Sequence, residues 1–408
     1  MNQALTCPFC GLLCDDLGVE SRAGRAEVTA AGCARARALF PVPPQAQARI
    51  DGQAADWRAA AQAAAERLAA ARRPSIAGLG CDLAGVRAAL MLAERCDARV
   101  EHRHGAALAQ ELRAARRGGS LRTTLSELRN RADCVLFAGT RAAAHPRFFE
   151  RCIEPREGLF GARQRRLILI GDAAQTAPES AALEHALAFP NAHLAEAVQL
   201  LRARLAGRRL DARHWHGIPI ERFDALAAVL RAAHYGVAVW DAAELEPPHA
   251  ELALRALYDL VAELNRDTRW AALPLGGNDG AAGAAAVCTW LAGRPPPLRY
   301  VHGAPQDALG ADAPDLVIWI SAFDPQAAPP PDVPAVVLAR ADWRGSAAPA
   351  IFIPVAVPGV QRAGALVRLD EVPCLPLAAP APADLPGVAD VLDAVRAGLA
   401  GRSAHAAA

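Results

Sequence analysis

Short, unbroken apolar segments recur along the chain and alternate with longer stretches in which apolar residues fall on one helical face. Asp56 can cap the first such helix, in which apolar positions recur at helical spacing from Trp57 to Leu68. Pro74 is expected to end that helix. The expected strands are residues 75–80, 133–139, 167–171, 235–240, 316–321, 335–338 and 350–355. Such strands, separated by helices, are typical of parallel sheets covered on both faces, so the pattern predicts an α/β protein with two sheets.

The length of 408 residues is too great for one small core, so several domains are expected. Residues before the prolines at 41–44 lack this strand–helix rhythm and are expected to form short strands around cysteines. The predicted division is a Cys-rich iron–sulfur-type module at 1–48, a first α/β domain at 49–190, a second at 191–320, and a segment at 321–408 that completes the α/β core and ends in a frayed tail.

Charge and composition exclude several classes of partner. The chain has 44 basic and 43 acidic residues, a net charge of +1, so no overall field favours nucleic acid or an anionic membrane surface.

The N-terminus lacks the features of a secretory signal, and the longest apolar run, 281–292, is too short to span a bilayer. A cytoplasmic location is therefore expected. In that reducing compartment, metal binding explains the ten cysteines better than disulfides do.

Cysteines are concentrated near the N-terminus, where Cys7, Cys10 and Cys14 form a C-x2-C-x3-C motif and Cys33 follows. Thiolates at this spacing on a Gly-containing loop can fold back on one metal centre. The uneven gaps suit an iron–sulfur cluster better than a zinc ribbon, which needs two CxxC knuckles. The alternative is four unrelated cysteines. The motif predicts a present or ancestral metal site.

Glycines after the first strand invite a dinucleotide-binding interpretation, but the spacing argues against it. Gly78 and Gly80 are followed by Gly85 rather than by a glycine at the required distance, and no suitable acidic residue follows. Phosphate-loop, zincin and hydrolase-elbow motifs are also missing from the sequence.

Four further segments have alternative interpretations. Residues 101–105 (EHRHG) and 145–147 (HPR) follow expected strands, where pockets of α/β sheets form, but solvated histidines or a capped turn are the alternatives. Residues 214–216 (HWH) are expected to be loop surface, since two histidines without a third ligand make a poor metal site. Residues 276–280 (GGNDG) can cradle an anion or form a plain turn.

A collinear set of segments resembles one known family. The segments are TCPFCGLLCDD with the later Cys33, TTLSELRNRADCVLFAGTRAAAHPRFFER, LILIGDAAQT, AAVCTWLAG, VIWISAFDP and AIFIPVAVPGVQRAGALVR. Each is similar to its counterpart in the molybdopterin- or tungstopterin-carrying B subunit of formylmethanofuran dehydrogenase. The resemblance covers nearly the whole chain and implies a molybdopterin-oxidoreductase-like α/β fold, of the formate dehydrogenase/DMSO reductase type. It also implies one [4Fe–4S] cluster on Cys7, Cys10, Cys14 and Cys33, either filled or surviving as an empty relic.

The departures from this family concern its redox site. Arg103, followed by His104, stands where the dehydrogenases carry a Cys or selenocysteine ligand to the metal, and a guanidinium cannot bind Mo or W. Gly276 replaces a family arginine beside the active site. Gly171-Asp172-Ala173-Ala174 lacks the proline and arginine of a pterin-binding loop. The resemblance therefore implies a degenerate site at Arg103, His104 and Gly276, without catalytic residues and without molybdopterin or tungstopterin.

This pattern is similar to the B subunit of the formyltransferase/hydrolase complex of methylotrophic bacteria, which acts in tetrahydromethanopterin- and methanofuran-linked oxidation of formaldehyde to formate. The implied partners are an amidohydrolase-type A subunit, C and D subunits that form the formyltransferase, and a methanofuran-type carrier nearby. The chain itself is expected to be a catalytically silent scaffold. The alternatives are a working pterin-dependent oxidoreductase and an electron-transfer module with one cluster. Docking surface is expected at 295–297, 329–331 and 350–360.

Overall fold

The computed structural model of the chain describes residues 4–154, 157–158, 161–162, 165–174, 183–245, 250–308, 312–345 and 348–406. The chain forms two compact units. The first contains residues up to 106 together with those from 277 onward, and the second contains 107–276. The predicted segments 1–48, 49–190, 191–320 and 321–408 do not coincide with these units, because the chain leaves the first unit at 106 and returns to it at 277.

Ten helices lie within the described residues. They are α1 (Ala34–Leu39), α2 (Trp57–Ala70), α3 (Leu83–Cys96), α4 (Gly105–Gly118), α5 (Leu125–Arg131), α6 (Leu194–Leu205), α7 (Ile220–Arg231), α8 (Ala250–Leu264), α9 (Ala281–Ala292) and α10 (Val388–Ala406). A π-helical turn covers Phe149–Ile153, and 3-10 turns cover Asp172–Ala174, Asn191–His193 and Ala242–Glu244. The Asp56 carboxylate accepts a hydrogen bond from the Arg58 N–H at 2.8 Å, which confirms the predicted cap of α2.

The same described part of the chain contains 22 strands. They are β1 (Gly18–Arg22), β2 (Arg25–Ala30), β3 (Ala48–Ile50), β4 (Gln53–Ala55), β5 (Pro74–Gly80), β6 (Arg99–Val100), β7 (Cys134–Ala138), β8 (Glu157–Gly158), β9 (Gly161–Ala162), β10 (Arg166–Ile170), β11 (Leu183–Leu187), β12 (His214–Trp215), β13 (Ile218–Pro219), β14 (Tyr235–Asp241), β15 (Arg269–Leu275), β16 (Leu298–Val301), β17 (Ala304–Asp307), β18 (Leu316–Ser321), β19 (Ala335–Ala339), β20 (Ile351–Pro354), β21 (Gly364–Val367) and β22 (Cys374–Leu377). Each strand expected from an apolar run is present, with bounds shifted by a few residues.

The first unit is built around a nine-stranded sheet with the order β17-β16-β6-β5-β18-β19-β20-β3-β4. Its central strands from β6 to β20 are parallel, and the outer pairs on both sides are antiparallel. Helices α2, α3, α9 and α10 pack on one face and bury a continuous apolar core. On the opposite face, Trp319 and Phe352 are buried with residues of the 327–343 region. The first sheet is therefore mixed, and helices cover one face.

The second unit contains a fully parallel five-stranded sheet with the order β11-β10-β7-β14-β15. Helices α6, α7 and α8 and the second half of α4 bury one apolar core against it. Phe137 on the other face stacks on Phe149, with ring centroids 5.2 Å apart. Among the described residues, no helix is both long and apolar enough to cross a bilayer.

The prediction of a docking surface at 350–360 is wrong. Residues 351–360 are all buried, and β20 is an internal strand that pairs with β19 and β3. A segment whose side chains already complete the core of this unit has no apolar surface left for a partner. Of the other two expected surfaces, Pro296 and Pro297 are also buried, whereas Pro330 and Pro331 are exposed.

Candidate functional site

The N-terminal cysteines lie on a compact loop between residue 5 and strand β1. Leu5 and Leu17 exchange backbone hydrogen bonds across the base of this loop, and the Cys7 N–H donates to the Cys14 carbonyl at 2.8 Å. The loop turns at Leu13, where φ is 45° and the Leu13 N–H donates to the Cys10 carbonyl. The backbone of the loop therefore brings the three cysteines of the motif together.

The fourth cysteine approaches from the start of α1. The Cys33 sulfur caps this helix and accepts a hydrogen bond from the Ala36 N–H at 3.4 Å. Cys7, Cys10 and Cys14 are buried, and Cys33 is partly exposed. Cys10, Cys14 and Cys33 lie close enough to Cys7 that a negative charge on any of them raises the pKa of Cys7. The structure therefore brings together the four cysteines that the sequence predicts as metal ligands.

Burial dominates the chemistry of these thiols. It raises the pKa of Cys7, against a hydrogen bond from the Phe9 N–H that lowers it. It also raises the pKa of Cys10, against the Leu12 and Leu13 N–H groups and the charge of Arg35. The free thiols of Cys7 and Cys10 are therefore protonated, and only a metal with a strong affinity for sulfur can deprotonate them at neutral pH.

The donor set is compatible with an iron–sulfur cluster, whose ligands are cysteine thiolates. Four thiolates also suit a zinc ion, around which they lie roughly 3.8 Å from one another, given a Zn–S distance of about 2.3 Å. No three of these four cysteines place their sulfurs within 4.8 Å of one another. Backbone N–H groups directed at the sulfurs are the kind of neighbours that stabilise cluster thiolates.

Arg103 lies between strand β6 and helix α4, as predicted, and is held by two carboxylates. Its guanidinium donates to Asp279 at 3.0 Å and to Asp324 at 2.6 Å. Asp279 is only 5% exposed. Burial would raise the pKa of Asp279, but the side chain of His104 and the charge of Arg103 lower it below its usual value. Arg103 is therefore a fixed cation in a structural ion pair, and it offers no lone pair to a metal.

The neighbouring His102 is buried and neutral. Its Nδ1 accepts a hydrogen bond from the His104 N–H at 3.1 Å, so the proton lies on Nε2, which donates to the Asp279 carbonyl at 3.2 Å. Burial, assisted by the charge of His104, lowers the pKa of His102 to about 4. The ring therefore serves as an uncharged link between residues 102–104 and the loop before α9.

Gly277 lets that loop pack against the histidines. A Cβ atom at this position would lie 2.5 Å from Cγ of His104, closer than any real contact. Gly280 has φ of 77°, and a Cβ there would lie 2.6 Å from the Cys81 carbonyl oxygen. The 276–280 segment is thus a tight turn at the start of α9, and Asn278 Oδ1 accepts a hydrogen bond from the Gly11 N–H of the cysteine loop at 3.0 Å. Gly276 ends the second unit, directly after β15.

The other candidate residues have structural partners. Arg147 is buried and pairs with Glu150, and the His145 carbonyl accepts a hydrogen bond in the turn before the π-helical segment. Asp172 and Asn191 exchange hydrogen bonds, which fixes the turn after β10. Sequence reasoning missed Asp279 and Asp324 as partners of Arg103. It also missed the position of His216, which lies beside His193 and Glu196.

Comparisons with known proteins place the chain in a family. No protein-family model matches the sequence. The B subunit of the formyltransferase/hydrolase complex Fhc from Methylorubrum extorquens is 30% identical over 285 residues, which are 67% of this chain and 74% of that protein. The chain belongs to the Fhc B-subunit family. It is also homologous to the B subunit of tungsten-containing formylmethanofuran dehydrogenase 2: the proteins from Methanococcus maripaludis and Methanocaldococcus jannaschii are each 26% identical over 90% of this chain and over 92% and 91% of their own lengths.

Solved structures agree with membership of the Fhc B-subunit family. A chain of the FhcABCD complex from Methylorubrum extorquens, crystallised with methylofuran, matches with a TM-score of 0.72 and 28% identity, over 88% of this chain and 99% of that chain. Acetylene hydratase from Pelobacter acetylenicus matches with a TM-score of 0.54 and 11% identity, over 97% of this chain and 69% of that chain, which shows a shared fold alone. The predicted α/β class is confirmed at this level, as a mixed α/β fold with parallel sheet segments.

Proposed function

We propose that the chain is the B subunit of a formyltransferase/hydrolase complex and serves there as a scaffold without a redox centre of its own. The observation that carries this proposal is the Arg103 ion pair. By resemblance to the dehydrogenases, Arg103 stands at the position of the metal's sulfur ligand, and in this structure it is bound by Asp279 and Asp324. A guanidinium held by two carboxylates can neither ligate Mo or W nor carry electrons.

The residues around Arg103 do not fit a pterin-bound metal, so no reaction step is derived through one. Residues 102–104 and Asp279 contribute one guanidinium, one carboxylate paired to it, and two imidazoles. Both ring nitrogens of His102 are already used in hydrogen bonds. None of these groups is a free soft donor. The proposed role of these residues is to join the 102–104 segment, the 277–280 turn and the loop of Asp324 into one rigid region of the first unit.

Partners are proposed by homology. The solved relative is an FhcABCD complex with methylofuran. For the present chain we propose the same kind of assembly, with an amidohydrolase-type A subunit and C and D subunits that form the formyltransferase, and with a methanofuran-type carrier nearby. Formyl transfer and hydrolysis to formate would take place on those subunits, and the chain would contribute the surface that holds them.

Exposed apolar side chains support a docking role. Trp290 and Leu291, at the end of α9, are 70% and 57% exposed. Burying a tryptophan and a leucine at an interface contributes on the order of 2–3 kcal/mol each, and tryptophan is a preferred interface anchor. A second candidate is a groove of about 410 Å³ lined by residues 329–335 and 348–350. Its prolines hold their backbone shape before binding, which lowers the ordering cost.

For the cysteine motif we propose that Cys7, Cys10, Cys14 and Cys33 hold one [4Fe–4S] cluster. When bound, such a cluster supplies one-electron chemistry. In a scaffold without a redox site, its contribution would be to cross-link the loop of residues 7–14 to the start of α1. The protein residues supply the four sulfur ligands, the backbone N–H donors and the burial described above.

The rival function is that of a working formylmethanofuran dehydrogenase B subunit. The observations in its favour are the complete cysteine set and the homology to tungsten-containing enzymes over 90% of the chain. It requires a metal with no cysteine from the protein at position 103. Arg103 therefore separates the two functions, and the scaffold accounts for its ion pair whereas the redox enzyme does not.

Affinity purification from the native source tests the scaffold directly. A tagged chain should co-purify with the hydrolase and formyltransferase subunits, and its deletion should abolish formate production from formyl carriers by destabilising the hydrolase subunit. Leu291→Ser should reduce this co-purification. Leu252→Ser is the matched control, because Leu252 on α8 is also 57% exposed. A stable monomeric chain, together with full hydrolase activity in its absence, would refute the scaffold.

A further inference from the structure

Three potential metal ligands converge on the surface of the second unit. They are His193, Glu196 and His216, and their ligand atoms all lie within 4.8 Å of one another, the only such trio among the residues that the structure describes. The Glu196 Oε2 atom lies 3.4 Å from Nε2 of His216 and 3.8 Å from Nδ1 of His193. The trio is distant in sequence from the cysteine motif and belongs to no site described above.

Two of the ligands come from the start of α6. His193 ends the 3-10 turn Asn191–His193 and occupies the N-cap position, and Glu196 follows in the first turn of the helix. Residues three apart lie on the same side of a helix, so the imidazole and the carboxylate point to one place. The imidazole of His193 and the carboxylate of Glu196 therefore supply two of the three protein ligands of a candidate metal site.

The third ligand is placed by a hairpin turn. Strands β12 and β13 are joined by His216 and Gly217, with φ of 46° and 79°. Positive φ at both central positions defines a type I′ turn, in which asparagine, aspartate and glycine are the favoured residues. His216 therefore holds a left-handed conformation, which is uncommon for residues other than glycine but is enriched for asparagine, aspartate and histidine. This conformation projects its imidazole from the tip of the hairpin towards α6.

Aromatic contacts of Trp215 hold the β12–β13 hairpin in place. Trp215 meets the ring of Phe189 edge to face at 5.2 Å and that of Phe223 at 5.7 Å. The His193 and His216 rings lie 4.1 Å apart at a tilt of 34°. Because Trp215 anchors the residue next to His216, the ligands are pre-positioned and little backbone movement is needed to close a site.

The chemistry of the donors selects the class of ion. Two imidazole nitrogens and one carboxylate oxygen suit Zn²⁺ and its transition-metal neighbours, whereas Mg²⁺ and Ca²⁺ require oxygen ligands. Ligands at about 2.0–2.1 Å around a tetrahedral zinc ion lie roughly 3.4 Å apart. The two distances from Glu196 are already 3.4 and 3.8 Å. Small side-chain rotations would complete the geometry.

We propose that His193, Glu196 and His216 form a binding site for a divalent first-row transition-metal ion, with Zn²⁺ as the ion that fits best. The ion would tie the β12–β13 hairpin to the start of α6. Its fourth position would be taken by water. With side chains that are 34%, 59% and 46% exposed, the site opens to solvent, and that fourth position remains accessible to an exogenous ligand.

Titration of the full-length chain with Zn²⁺, and with Co²⁺ as a spectroscopic probe, tests the site. The informative variant is His216→Asn, because asparagine is favoured in the type I′ turn and the hairpin should therefore still fold. The matched control is His214→Asn, two residues away in the same hairpin and outside the trio. Zn²⁺ also binds cysteine thiols, but the comparison of two hairpin variants cancels that contribution.

The expected result is a loss of at least about 100-fold in Zn²⁺ affinity for His216→Asn, a similar loss for Glu196→Gln, and none for His214→Asn. The Co²⁺ spectrum should contain a d–d component typical of four-coordination with nitrogen and oxygen ligands, and this component should disappear in His216→Asn while any sulfur-to-cobalt bands from the cysteine motif remain. Equal Zn²⁺ affinity and equal Co²⁺ spectra in wild type, His216→Asn and His214→Asn would overturn the proposal. If the chain needs its partner subunits to stay folded, the same variants are compared in the purified complex.

Discussion

The guanidinium of Arg103 and the carboxylate of Asp279 form an ion pair at 3.0 Å, in which the carboxylate is buried and the guanidinium is one-third exposed. In the homologous dehydrogenases, the resemblance places the metal's sulfur ligand at the arginine position. In the proposed function, the pair makes that position a structural contact rather than a ligand site. The proposed loss of redox chemistry depends on this relationship and on the second contact to Asp324.

Replacement of Arg103 should therefore affect stability rather than turnover. Arg103→Ala leaves Asp279 without its cation, and we expect a loss of about 1–3 kcal/mol in the free energy of unfolding, less than for a fully buried pair because Arg103 is partly solvated. Formyl transfer and hydrolysis by the assembled complex should be almost unchanged. Denaturant unfolding and complex assays measure the two effects. Arg22→Ala, which removes exposed ion pairs to Glu20 and Glu27, is the control and should change neither.

A pH dependence of stability follows from His102. Its folded-state pKa is lowered from 6.5 to about 4, so the unfolded chain binds a proton at higher pH than the folded chain does. Stability should therefore fall as the pH drops from 6.5 to 4, by about 3 kcal/mol in total from this residue. Asp279, whose pKa is lowered, contributes its own loss only below its ordinary value of 3.8.

The variant His102→Gln isolates this effect, because glutamine keeps a donor and an acceptor but cannot take up the proton. Its unfolding free energy should change less between pH 6.5 and 4 than that of the wild type. His234→Gln removes an exposed histidine and should retain the wild-type slope. Parallel slopes in all three proteins would show that His102 is not the titrating group.

The cysteine motif should hold iron when the chain is purified anaerobically. Iron and acid-labile sulfide should be present in amounts typical of one [4Fe–4S] cluster, and Cys10→Ser should lose them because it removes one of four ligands. Cys374→Ser changes an exposed cysteine outside the motif and should keep the full content. A wild-type chain with normal stability and no iron would show that the motif is a relic.

Local patterns were enough to predict most of the fold. Apolar runs predicted strands such as β18 and β19, because internal strands of a parallel sheet are buried on both faces. These local patterns could not predict which strands and helices belong to which of the two units. Strand β5 pairs with β18, and this pairing of distant segments is set by packing that no local signal encodes. The short antiparallel strands that extend the first sheet were missed for the same reason.

The candidate sites show the same limit. The cysteine spacing is a local signal, and the structure brings these four residues together. The partners of Arg103 lie 176 and 221 residues away, so the sequence could nominate the arginine but not its ion pairs. His214 and His216 were expected to lack a third ligand; in the structure His216 lies beside His193 and Glu196, and His214 lies outside this trio. The one available signal was the His216-Gly217 pair, which is compatible with a tight hairpin turn.

Elemental analysis of the native complex distinguishes a scaffold from a working dehydrogenase. The complex should be purified anaerobically with its formyl-transfer and hydrolase activities intact, and tungsten, molybdenum and released pterin should be measured against the amount of this chain. The scaffold function requires full activity with neither metal nor pterin above background. Tungsten or molybdenum in stoichiometric amounts with a pterin would contradict it, and would restore the working formylmethanofuran dehydrogenase.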